Sequence, residues 1–163
     1  MAEERTRPVE LTVNGKTSSI EVPARRLLSD AIRNDLGLTG THVGCEHGVC
    51  GCCTVLIDGL PMRSCLTFAV AADGRDIRTV EGLAADNGDL HPVQEAFREC
   101  HGLQCGFCTP GFLMTATALL ERNPDPSDDE ITEAIAGNLC RCTGYQNIKT
   151  SVRLAAELAR GDR

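Results

Sequence analysis

The sequence predicts an α+β chain in two parts: a small mixed sheet crossed by one helix, then a compact bundle of four helices. Three observations carry this. Alternating apolar runs meet tight-turn dipeptides in the first half, helical spacing dominates the second, and the ten cysteines split into two groups across the same divide. The polar, Gly-containing stretch Ala84 to Asp89 reads as the linker, which sets the domains at 1-83 and 84-163.

In the first half, Val9 to Val13 alternates and runs into Asn14-Gly15, after which Ser18 to Val22 alternates again, a hairpin signal. Leu27, Leu28, Ala31, Ile32 and Leu36 share one helical face, and Gly37 stops that helix. Thr54 to Ile57 is β-rich and closes on Asp58-Gly59, a second hairpin signal. Ile77 to Val80 is expected as an edge strand. In the second half, Val93 to Cys100 forms a short amphipathic helix after Pro92. Thr109 is expected to cap a helix with Pro110 at its first position, ending before Asn123-Pro124. Ser127 to Glu130 is a capping box before Ile131, Ala134 and Ile135, so the acidic run Asp125 to Glu130 is a helix start and not a metal loop. The last helix, Gln146 to Arg160, turns Ile148, Val152, Leu154, Ala155 and Leu158 inward, and both chain ends are expected to fray.

Composition narrows the function. At 163 residues and 42% hydrophobic the chain can pack a core, although aromatics supply only 3%. A net charge of −7 with no basic block argues against nucleic acid. The first residues, MAEERTRPVE, are charged where an export signal needs an apolar core. The longest uncharged stretch, His101 to Leu120, contains Pro110, glycines, a Gln and two Cys, a poor membrane span. A cytoplasmic protein is expected, and in a reducing compartment closely spaced cysteines mean metal or redox chemistry before disulfides.

Cys45-x4-Cys50-x2-Cys53, with Cys65 after eleven intervening residues, is the plant-type ferredoxin spacing for a 2Fe–2S cluster. Gly44, Gly48 and Gly51 would let this loop wrap closely. Cys105-Gly-Phe-Cys108 and Cys140-Arg-Cys142 form a second four-thiol set, each pair at a helix end. Its spacing alone suits either zinc or iron–sulfur. Spacing alone therefore leaves open a free-standing ferredoxin-type carrier, which needs only the first half, and a structural zinc-binding module.

GCEHGVCGCCTVLIDG, QCGFCTPG and NLCRCTGY resemble the signatures of the iron–sulfur (small) subunit of the molybdenum hydroxylase (xanthine oxidase) family. Within it the chain is similar to the small subunits of carbon monoxide dehydrogenase and of bacterial N-heterocycle and aldehyde hydroxylases. The resemblance runs from about Val9 to Leu158. It implies an N-terminal β-grasp, ferredoxin-like 2Fe–2S domain and an all-α four-helix-bundle 2Fe–2S domain. It also implies a molybdenum-binding large subunit carrying a pterin cofactor and an FAD-binding medium subunit, assembled as a hetero-oligomer such as a dimer of heterotrimers. By the same resemblance Cys45, Cys50, Cys53 and Cys65 hold the cluster nearer the flavin. Cys105, Cys108, Cys140 and Cys142 hold the one nearer the molybdenum, with Gln104 and Cys142 touching the pterin. The chain would relay single electrons from the molybdenum–pterin centre to FAD, and none of its residues would act as general base or nucleophile.

Other residues have plainer readings. Cys52 replaces the small residue usual in the family and reads as a buried non-ligand, because the x2 position from Cys50 belongs to Cys53. Cys100 reads as structural, on an apolar helix face. Cys45-Glu46-His47 lacks the second Cys–His pair of a Rieske centre, so His47 reads as a solvated loop residue. His42, His91 and His101 have no partner pattern. Arg141, between two ligands, either tempers cluster charge or is simply solvated. The substrate pocket would lie on the molybdenum chain, so these residues name neither substrate nor terminal acceptor.

Overall fold

The computed structural model describes residues 5–161, so the expected fraying of the ends lies outside the described residues. Strands β1 (Thr6–Val13) and β2 (Lys16–Pro23) form an antiparallel hairpin in which Val13 faces Lys16 and Thr6 faces Pro23. Asn14 and Gly15 both take positive φ, 52° and 74°, as a two-residue turn of this hand requires. The helix α1 starts at Leu28–Asp30 and continues as a π-helical stretch over Ala31–Asp35, where the Leu36 N–H reaches Ala31 O at 2.9 Å. Strands β3 (Thr54–Ile57) and β4 (Leu60–Arg63) make the second hairpin.

Strand β5 (Asp76–Arg78) corrects the expected edge strand. The sheet order is β2-β1-β5-β3-β4, so β5 is central, parallel to β1 and antiparallel to β3. Each hairpin has one inner edge whose backbone groups need partners, and this short segment satisfies both at once. Ile77 is accordingly fully buried.

Four helices follow: α2 (Pro92–Glu99), α3 (Thr109–Arg122), α4 (Asp128–Ile135) and α5 (Gln146–Arg160). Helix α2 packs on α5 and α3, while α4 packs on α3 and α5. Ser127 and Glu130 cap α4 reciprocally, as the sequence predicts. The start of α3 differs from expectation. Cys108 takes the cap position, so Thr109 is already helical and its buried hydroxyl has no hydrogen-bond partner. Helix α2 is capped by a residue without an assigned role: His91 Nδ1 accepts from the Val93 N–H at 3.3 Å, and Gln94 accepts from the His91 N–H at 3.0 Å.

The two halves are welded through β3. Val55 and Ile57 enter the core between the sheet and α1, whereas Leu56 points the other way into the helical core. The stretch from Ala84 to Asp89 is a folded turn closed by an Ala85 N–H bond to Asp89 O at 3.0 Å. Among the described residues no helix is long and apolar enough to cross a membrane.

Candidate metal centres

The loop between α1 and β3 carries the first thiol group. Gly48 and Gly51 have positive φ, 84° and 74°, and so does Glu46 at 54°. Gly44 does not belong to this set. Its hydrogen side is needed for space instead, since a Cβ there would sit 3.1 Å from the Phe107 ring and 3.3 Å from Cys50 Sγ. The folded loop aims backbone donors at sulfur. The Cys50 N–H lies 3.4 Å from Cys45 Sγ, and with the His47 and Val49 amides it holds the Cys45 thiol down to about 6.

Cys45 contacts Cys50, and Cys53 contacts Cys65, which arrives from the short turn Ser64–Leu66 after β4. Cys53 and Cys65 are buried, at 1% and 2% exposure. Burial, followed by the neighbouring Cys53, pushes the Cys65 thiol up to about 12. Burial disfavours the charged thiolate, and a neighbouring thiolate adds like charge.

The second group lies at the start of α3 and in the turn between α4 and α5. Cys108 meets Cys140 on its inner side, and Cys105 meets Cys142 at the surface. Burial pushes Cys108 up to about 12. Burial also opposes the Cys140 thiolate, but the Thr143 hydroxyl donating at 3.2 Å and the Thr143 and Cys142 amides outweigh it and bring Cys140 below the usual thiol value. Cys142 is raised by its side-chain contact with Cys105, partly offset by the Cys105 amide.

No group of three or more His, Cys, Asp or Glu side chains among the described residues is arranged to hold a metal ion. The eight thiols of the two spaced sets meet two by two, and Cys52 lies against Cys50 as well. Two pairs per group suit a 2Fe–2S centre, in which four cysteines are shared between two irons. A zinc ion would gather all four about one point. The unpartnered Thr109 hydroxyl, directly after Cys108, adds a spare donor of the kind cluster sulfurs accept. The donor set therefore fits two binuclear iron–sulfur centres.

The remaining expected residues fall as follows. Gln104 is exposed beside Cys105, and Phe107 and Leu139 are also exposed. A cavity of about 340 Å³ opens between the two groups, lined by Gly44, Cys50, Cys52, Phe107 and Cys108 among others. Cys52 is buried next to Cys50 and within electrostatic reach of Cys108, and burial pushes its thiol up to about 12. Cys100 packs on the helical core, and Arg141 is exposed. His42 has a place that sequence spacing gave no sign of: it stacks on Phe107, with centroids 5.2 Å apart, and its Nδ1 meets Phe107 O at 2.8 Å. Asn138 and Tyr145, which hold the Cys140 turn, were equally invisible to spacing: Asn138 reaches Gly51 far along the chain, and Tyr145 accepts from Cys140 within the turn while its ring packs on Phe112.

The family model for a 2Fe-2S iron-sulfur cluster binding domain matches residues 11–84, and that for a [2Fe-2S] binding domain matches residues 79–153. The fold and paired thiols thus define an iron–sulfur protein with two 2Fe–2S domains. The chain is 58% identical over 144 residues to the nicotine 6-hydroxylase small subunit of Paenarthrobacter nicotinovorans, covering 88% of this chain and 86% of that one. It is 58% identical over 148 residues to the caffeine dehydrogenase subunit gamma of Pseudomonas sp. (strain CBB1), covering 89% and 88%. The structure of quinoline 2-oxidoreductase from Pseudomonas putida 86 superposes with a TM-score of 0.91 at 52% identity, covering 96% of this chain and 97% of that one. The chain belongs to the iron–sulfur small-subunit family of the molybdenum hydroxylases, the xanthine oxidase group, and its role is electron transfer within an oxidoreductase.

Proposed function

We propose that Cys45, Cys50, Cys53 and Cys65 hold one 2Fe–2S cluster, and that Cys105, Cys108, Cys140 and Cys142 hold the other. The observation that supports this is the meeting of Cys45 with Cys50, Cys53 with Cys65, Cys108 with Cys140 and Cys105 with Cys142, two pairs in each group, with Cys52 as a further thiol against Cys50. Bound there, the clusters pass single electrons from a molybdenum–pterin centre to FAD, both on partner chains. The residues of this chain bind and orient. Loop amides at Cys45, and Thr143 at Cys140, donate to sulfur and stabilise its negative charge. Buried Cys53, Cys65 and Cys52 keep water away from the inner side of the loop.

The exposed pair Cys105–Cys142, with Gln104 beside it, faces the molybdenum-binding large subunit, where Gln104 and Cys142 contact the pterin. The exposed loop from Glu46 to Val49 faces the FAD-binding medium subunit. We read the chain as a β-grasp domain over 1-83 and a four-helix-bundle domain over 84-163, in a dimer of heterotrimers. Ten free cysteines suit the reducing cytoplasm.

Metal and sulfide analysis tests the reading. The purified chain should carry about four iron and about four labile sulfide, and after reduction show two distinguishable paramagnetic signals. A colourless zinc protein, or one holding about two iron, would overturn it.

A further inference from the structure

Asn138 is 1% exposed and lies where the two thiol groups approach each other. Its Nδ2 donates to Gly51 O at 3.0 Å, and its Oδ1 accepts from the Thr115 hydroxyl at 3.1 Å. One residue on, the Leu139 N–H donates to Cys50 O at 2.9 Å. The segment leading into Cys140 is therefore stitched to the segment between Cys50 and Cys53 by hydrogen bonds from consecutive residues. Arg63 reinforces the seam, donating to Thr54 Oγ1 and to Gly137 O.

The approach leaves no spare room. A Cβ at Gly51 would lie 2.6 Å from Gly137 O, and one at Gly111 would overlap Gly51 O. A side chain chosen only to fill this space would be apolar. A buried amide matched at both ends instead fixes one register between two segments.

The consequence is a short connected path. It leaves Cys50 through its own carbonyl, crosses one hydrogen bond to the Leu139 amide, and reaches Cys140 at the next residue. Electronic coupling through bonds and a hydrogen bond exceeds coupling across an equal gap. We propose that Asn138 is a positioning residue for electron exchange between the two centres, holding the Cys50–Leu139 hydrogen bond through which they communicate. This rests on the ligand assignment proposed above.

The test uses the full chain with its iron–sulfur centres in place, as Asn138→Ala and as Thr115→Val. The second variant keeps the side-chain volume and removes only the donor that orients the amide. Iron content and the midpoint potential of each centre should match the parent chain. The magnetic splitting between the two reduced centres should shrink, and hydrogen exchange at the Leu139 amide should quicken roughly tenfold in Asn138→Ala, equivalent to about 1.4 kcal/mol. Thr115→Val should shift both readouts the same way by less. A purely structural role for Asn138 would change unfolding and exchange but leave the splitting as it was. Unaltered splitting in both variants therefore overturns the proposal. If Asn138→Ala sheds a centre, Thr115→Val decides, and parental splitting there is again the overturning result. A parent chain without two iron signals would sink the ligand assignment itself, and the link with it.

Discussion

The phenol of Tyr145 accepts the backbone N–H of Cys140 at 2.9 Å. Tyr145 sits at φ 68°, with its own N–H taken by the Thr143 hydroxyl, which in turn donates to Cys140 Sγ. Its ring stands edge-on to Phe112 at 6.2 Å. One residue thus closes the turn around Cys140 and anchors that turn to the helical core.

Tyr145→Phe keeps the ring contact and removes the acceptor. A buried donor left unpaired costs about 1–3 kcal/mol, and the half-exposed setting of this turn places the loss toward the lower end. Thermal unfolding should begin earlier, and only the paramagnetic signal of the second centre should change shape. An unfolding midpoint equal to the parent's would show that water replaces the phenol at no cost.

Cys52→Ala and Cys100→Ala should keep both centres, while Cys53→Ala and Cys108→Ala should each lose one. Cys53 pairs with Cys65 and Cys108 with Cys140, whereas Cys52 is buried against Cys50, whose x2 position belongs to Cys53. Iron counts on the four variants check this. Loss of iron in Cys52→Ala with Cys53→Ala intact would reverse the assignment.

Gln104→Ala removes an exposed amide and no thiol. Iron content should stay normal while substrate-driven reduction of the assembled complex slows by roughly tenfold, the effect of about 1.4 kcal/mol on the transfer step. Stopped-flow reduction beside an iron assay reads both. Reduction at the parental rate would remove the pterin contact from this residue.

His91 makes stability depend on pH. Burial, and then the Arg78 charge, hold its imidazole below the ordinary 6.5, so the fold favours the neutral ring whose Nδ1 caps α2. A depressed folded-state value means the cap is fully present above the unfolded value and lost as pH falls through the folded one. A lost cap costs about 0.5–2 kcal/mol. His91→Asn supplies a cap that does not titrate. Between about pH 7 and about pH 5 the parent's urea midpoint should fall further than the variant's, and parallel curves would count against the histidine.

Much of this chain is readable locally, and particular residues show why. Asn14-Gly15 and Asp58-Gly59 carry their turns because these residue types tolerate positive φ wherever they stand. The Ser127–Glu130 box caps α4 across three residues. The spacing from Cys45 to Cys53 declares cluster chemistry because one tight loop must deliver three thiolates. What spacing left open is decided by contacts between segments far apart in the chain. Strand β5 becomes central only because two separate hairpins each present it an unpaired edge. Thr109 loses its capping role because Cys108 is drawn into that position beside Cys140. His42 on Phe107 and Asn138 on Gly51 are polar groups whose partners the tertiary fold supplies, as it supplies Phe112 to the ring of Tyr145. Local chemistry thus determined the turns, the caps and the ligand spacing, since those energies act within a few residues. Which thiol meets which, and what holds the two groups together, depended on packing across the whole molecule.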